Sequence, residues 1–190
     1  MPEDVELYKN QYDVKAGRWP ENYKEWLLVL TSQGDISDFL QYTLGLRDGK
    51  ELDDMVQKFM AEEAVETPEN EESYTYDEIL GKKFKLVNST DYYEYDEEYK
   101  VWKDKSDNSS YMKKLVKNGE DLTIVGIVQP VEGATASMLT AGICYTPELT
   151  KHVIEKAASS EIVKQQLADE KINVFTGEEF GKEDNENSKF

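Results

Sequence analysis

The run Asp121-Leu-Thr-Ile-Val-Gly-Ile-Val-Gln-Pro130, with Gly142-Ile-Cys-Tyr-Thr-Pro147 after it, decides the fold. No charged side chain interrupts Leu122 to Val128, and neither alternate set of positions is polar apart from Thr123. A strand covered on one face alternates apolar with polar residues, whereas a strand covered on both does not. A layer is therefore expected on each side of this strand. Beyond the small-residue loop Glu132-Gly-Ala-Thr-Ala-Ser137, the second run reads as a strand over 142–145 that feeds a helix. Thr146 suits the N-cap of that helix and Pro147 its first position. Leu149, Val153, Ile154 and Ala157 are expected to face inward.

Upstream, Glu25-Trp-Leu-Leu-Val-Leu-Thr31 is apolar on both alternate sets and predicts a central strand. Residues 1–24 are polar and aromatic and end in the turn-like Gly17-Arg-Trp-Pro-Glu-Asn22. Ile36, Phe39, Leu40 and Leu44 are spaced for a helix over 35–44, with Asp35 or Ser37 as cap and Gly45 as stop. Leu52, Met55, Val56, Phe59 and Met60 predict a second, amphipathic helix over 51–62. The acidic stretch 61–73 reads as a linker. Thr75-Tyr-Asp-Glu78 has the form of a capping box, and Gly81 would close its short helix at Leu80.

Lys83-Phe-Lys-Leu-Val87 alternates like a half-buried strand within 83–88. Tyr92 to Lys103 predicts a strand pair turning near Asp96-Glu-Glu98, with Tyr93, Tyr95, Tyr99 and Val101 on one set of positions. Residues 104–120 read as a polar loop, 160–169 as a helix after Ser159 or Ser160, and 172–176 as a short strand. The expectation is an α+β fold: a mixed, mainly antiparallel sheet with helices packed around it. The expected layout is a single domain over 1–177, a possible insertion at 50–118, and an acidic, disordered tail at 178–190.

Forty acidic against 22 basic residues give a net charge of −18. Such a chain repels phosphate backbones, so nucleic acid is not an expected partner. The one cysteine, Cys144, rules out an internal disulfide and reads as a buried, inert thiol. One histidine, His152, cannot build a multi-histidine metal site and reads as a rim residue. A Cys144–His152 dyad is disfavoured, because apolar flanks raise a thiol pKa. No cofactor motif is present: neither GxxxxGK[ST] nor GxGxxG, and neither GxSxG nor HExxH.

The acidic clusters Asp53-Asp54, Glu62-Glu63, Glu71-Glu72 and Asp96-Glu97-Glu98 lack the loop spacing that Ca²⁺ coordination requires, and no metal site is expected. No stretch reaches the roughly 18 apolar residues of a membrane span. Met1-Pro-Glu-Asp4 lacks the basic flank of a signal peptide. Alone, these features suggest a soluble cytoplasmic chain; a soluble domain cut from a membrane protein would show the same ones. The sequons at Asn88 and Asn108 read as coincidental.

Seven of the twelve tyrosines lie between Tyr74 and Tyr111, beside Trp102, too dense a cluster to ignore. Packing is the ordinary role of strand aromatics. The functional role would be a recognition surface for a peptide, lipid or glycan, built on Tyr93, Tyr95, Tyr99 and Trp102.

Five stretches, in order, resemble the large extracellular region of FtsX/MacB-type ABC transporter permeases of Gram-positive form. They are Tyr12 to Asn22 with Glu25 to Leu30, then Tyr42 to Leu46 ahead of Ile79 to Leu86. Leu122 to Pro130, Gly142 to Leu149 and Asn173 to Gly177 follow. The chain departs from that family in having no membrane helix and no clear first half of the membrane-proximal βαβ segments.

The resemblance implies the inserted lobe of a MacB-like periplasmic core domain, excised from a cell-membrane protein and facing outward. It implies a non-catalytic role, coupling ATP-driven movement of membrane helices to export or to extracellular mechanotransmission. The implied partners are a cytoplasmic ATP-binding subunit, reached through the membrane part, and a second permease copy or paralogue. The membrane itself would be reached only through flanking helices. The alternatives are an extracellular binding module using the tyrosine-rich surface, and a small hydrolase with a carboxylate pair in a cleft.

Overall fold

A computed structural model describes residues 1–61, 73–134 and 137–182, and these fold as α+β. The linker expected at 61–73 lies almost wholly outside the described residues, and so does the expected tail from 183 onward. The chain divides into two compact units, 1–84 with 122–147 and 85–121 with 148–190.

The first unit is built on a mixed sheet. Its strands are β1 (Tyr12–Gly17), β2 (Glu25–Val29), β3 (Lys83–Leu86), β6 (Glu120–Pro130) and β7 (Gly142–Tyr145). The order is β1-β6-β2-β7, with β3 also paired to β6. β1–β6 and β2–β7 are antiparallel, while β2–β6 is parallel. Both β2 and β6 have neighbours on each side, as their unbroken apolar runs predict.

One face of the sheet buries Leu27, Val29 and Val128 against Tyr8, Tyr12 and Leu139. The other buries Leu28, Leu30, Ile124 and Ile127 against Leu44 and Ile79. Leu44 caps α1 (Asp38–Thr43), and Ile79 ends α3 (Tyr76–Ile79). The Ser37 hydroxyl accepts from Leu40 N–H at the start of α1, and Thr75 and Glu78 form the capping box of α3. Between them in sequence lies α2 (Gly49–Met60), capped by Asp48.

β1 has no counterpart in the sequence reading. Its alternation is broken by a bulge at Lys15, so Val14 pairs with Val128 and Ala16 with Ile127. A second bulge at Val125 pairs Trp26 with Ile124 but Leu27 with Gly126. Each bulge inserts one residue and swaps the faces beyond it. That is why Ile124 and Ile127, three apart, lie in the same cluster. Tyr12 pins the far loop: its hydroxyl donates to Leu139 O at 3.0 Å and accepts from Leu139 N–H at 2.6 Å, and both bonds are buried.

The β1–β2 connection is held by Arg18, whose guanidinium donates two bonds to the Glu25 carboxylate at 2.6 and 2.7 Å. This fork, with further donors, lowers the Glu25 pKa from 4.5 to about 2. A carboxyl with a depressed folded pKa stabilises the protein above its unfolded value, and that contribution is lost as pH falls. Wild type should therefore lose stability between pH 4.5 and about 2 more steeply than Glu25→Gln. Urea midpoints across that range check it; parallel curves would remove the fork from the account.

The second unit carries the two-stranded sheet β4 (Tyr93–Asp96) and β5 (Val101–Asp104), which turns where the sequence predicts. It also carries α4 (Ser109–Asn118), α5 (Pro147–Ala158, from Glu148 onward) and α6 (Glu161–Ala168). α4 corrects the expected loop over 104–120. Asn108 caps it by accepting from Ser110 and Tyr111 N–H, and Tyr111, Met112 and Leu115 supply a half-buried face.

Three further corrections concern the later elements. The start of α5 is as expected, but the Thr146 hydroxyl is buried and makes no hydrogen bond among the described residues. Ile154 on α5 points outward, 61% exposed. Residues 172–176 are not a strand: the Asn173 carbonyl accepts from Gly177 N–H and Asn173 N–H donates to Glu178 O, so the chain turns back on itself. Ile172 keeps one isolated antiparallel bridge, to Glu179.

Candidate functional site

The tyrosine-rich segment divides by its pairing. Tyr95 stands opposite Trp102, and their rings lie 5.3 Å apart. Trp102 Nε1 donates to Gln165 Oε1 of α6 at 2.7 Å, and Tyr93 packs against Phe175 at 5.0 Å. Tyr93, Tyr95 and Trp102 are half-buried on one face of the hairpin. Tyr99 is elsewhere, in the turn and 65% exposed, with the Lys103 ammonium 4.6 Å from its ring centroid. Val101 pairs with Asp96 and so leaves the face of Tyr95.

The turn itself is tightly held. Asp96 accepts from Glu98 and Tyr99 N–H and pairs with Lys103, and these contacts, Lys103 first, hold its carboxyl below the usual range. Lys100 takes the left-handed backbone, φ 56°, that closes the turn.

Tyr93 forms one wall of a groove of about 340 Å³. Ile162, Val163 and Leu167 of α6 form another, and Val174 and Phe175 of the following turn a third. Ser89, Thr90 and Gln166 are its polar members. No lining side chain carries a charge at neutral pH. Ile162 and Val174 are buried beneath it, whereas Leu167 and Phe175 are 67% and 47% exposed at its rim.

Gln166 fixes the shape of the groove. Its amide nitrogen donates to Asp169 O and Ile172 O, and its amide oxygen accepts from Val174 N–H. The turn bearing Val174 and Phe175 is thereby tied to α6. Val174 O also accepts from Trp102 N–H, which ties the turn to β5. An apolar hollow with a preset shape and few polar groups suits a ligand held by contact area. A second hollow of about 500 Å³ lies in the first unit, lined by Leu30, Ile36, Tyr74 and Ile79 together with Asp35 and Gln41. Its lining is mixed.

The remaining candidates have structural roles. Cys144 is half-buried rather than buried; its thiol points to the Thr140 carbonyl at 3.8 Å, and burial raises its pKa. His152 Nε2 lies 2.9 Å from Glu120 Oε1, which also pairs with Lys156. Asn108 is occupied as a helix cap, and Asn88 is 4% exposed with neither amide atom hydrogen-bonded among the described residues. Among the described residues no group of three or more His, Cys, Asp and Glu is placed to hold a metal ion. No described helix is long and apolar enough to cross a membrane.

Comparison with protein-family models, with curated proteins and with solved structures finds no match to this chain.

Proposed function

We propose that this chain is a non-catalytic binding domain on the extracytoplasmic side of an ABC transporter permease. In this reading it holds an apolar part of its ligand in the groove below Tyr93. The single observation that supports binding is the lining of that groove: six apolar side chains around about 340 Å³, with Gln166 fixing their positions. Such a lining offers contact area and no acid–base pair. The permease assignment rests on the five ordered sequence stretches alone. Movement of membrane helices would be coupled to ligand held outside, with ATP hydrolysed by a separate cytoplasmic subunit.

Leu167→Asp places a charge at the exposed rim, where the fold does not depend on leucine. Nile red, an uncharged apolar dye, should bind the whole chain saturably, and this variant should bind it about tenfold or more weakly. Equal binding by both proteins, or no saturable binding, would remove the groove from the proposal. The permease assignment is tested separately. The parent reading frame should continue into apolar stretches of about 20 residues, and a frame without them refutes it.

A further inference from the structure

The hollow of about 500 Å³ in the first unit is graded from floor to mouth. Leu30 and Ile79, 2% and 3% exposed, form the floor, and Ile36 is half-buried. Tyr76 and Asp35 are exposed at the mouth. The walls are fixed by bonds within the chain. Tyr74 is half-buried and donates its hydroxyl to Leu46 O at 3.4 Å, and the Thr75 hydroxyl donates to Glu78 Oε2 at 2.8 Å. Asp35 differs from both. Its N–H donates to Thr31 Oγ1 at 3.1 Å and its carbonyl accepts from Thr31 N–H at 2.9 Å, so its backbone is held. Its carboxylate makes no hydrogen bond and no ion pair among the described residues.

This gradient selects the ligand. An apolar part fits the floor, and a positive charge fits the mouth. Among the described residues no lysine, arginine or histidine lines the hollow. The cations that follow α1 and α3 have carboxylates of their own: Arg47 pairs with Glu51, and Lys82 lies by Glu78. An alkyl carboxylate would bring like charge to Asp35, and a sugar would set hydroxyls against the apolar floor without partners. Tyrosine faces add attraction for a cation. We infer that this hollow binds an ammonium group carried on an apolar stem. The site lies within the first unit and does not depend on the groove of the second.

The test titrates the full chain with octylammonium, octanol and octanoate and follows backbone amide signals by nuclear magnetic resonance. Octylammonium should shift the amides of Asp35, Ile36 and Ile79 saturably. It should bind about two- to fivefold more tightly than octanol, the margin of a partly exposed ion pair, and octanoate should bind most weakly. Asp35→Asn should erase that margin with the fold intact, since the side chain is at the surface. Ionic strength near 1 M, where the screening length is about 3 Å, should shrink it too. Leu167→Asp should leave these shifts unchanged, which separates this site from the groove. Acetyl-lysine methylamide distinguishes two sources of the amine, both in agreement with the inference: affinity equal to that of octylammonium indicates a protein side chain, and weaker affinity a free amphiphile. Octanol or octanoate binding as tightly as octylammonium overturns the inference. So does a margin that survives Asp35→Asn, and so do shifts confined to the second unit.

Discussion

Gly126→Ala is expected to remove about 3 kcal/mol of folding stability, the upper end of what overpacking by one methyl group costs. A Cβ at Gly126 would sit 1.9 Å from Arg18 O and 2.9 Å from Arg18 C. Both are backbone atoms, so no side chain can turn aside. Arg18 N–H donates to Val125 O at 3.0 Å, which holds the two segments at that closeness. The opposing position is equally closed: a Cβ at Gly17, where φ is +69°, would lie 2.1 Å from Val125 O. Gly49→Ala, at the start of α2 with nothing within 4 Å, is the control and should change stability by about 1 kcal/mol or less. Urea unfolding of the two variants decides the matter. Equal midpoints would mean that the β1–β6 crossing can open without cost.

Leu27→Ala and Leu28→Ala should each cost about 2–5 kcal/mol. Adjacent residues on a strand point to opposite faces, and both leucines are 0% exposed. Leu27 packs with Tyr8, Tyr12 and Val128, Leu28 with Leu44, Ile79 and Ile127. In a sheet covered on one side, one of the two substitutions would be nearly silent. Two large losses establish two layers, and one large with one small loss refutes them.

The sequence announced these layers through what it lacked, a polar residue at either alternate set of positions in β2 and β6. It announced α3 through its capping box and β7 and α5 through the strand-to-proline junction. β1 was hidden because the bulge at Lys15 breaks the period-two pattern that marks a strand. α4 was hidden because its three lysines and its leading serines mask a narrow face of Tyr111, Met112 and Leu115, although Asn108 was a legible cap. Residues 172–176 have strand-like composition, but Asn173 closes a turn, a choice made by hydrogen bonds rather than by apolar spacing. The groove was least legible of all. Tyr93, Leu167 and Phe175 meet only after the hairpin, α6 and the turn have assembled. Of the four aromatics singled out in sequence, Tyr93 lines it, while Tyr95 and Trp102 brace the hairpin and Tyr99 stays in solvent.

The extra residue at Val125 gives the long strand a phase as well as a composition. Substituting a neighbouring side chain alters one packing contact. Deleting Val125 would close the bulge and leave Ile124 and Ile127 two apart, still on one face, whereas losing Thr123 would turn Leu122 toward the opposite layer relative to Ile124. The bulge is therefore the one place in this strand where a residue can be lost without exchanging the two layers; elsewhere along it a change of count turns every side chain beyond it over.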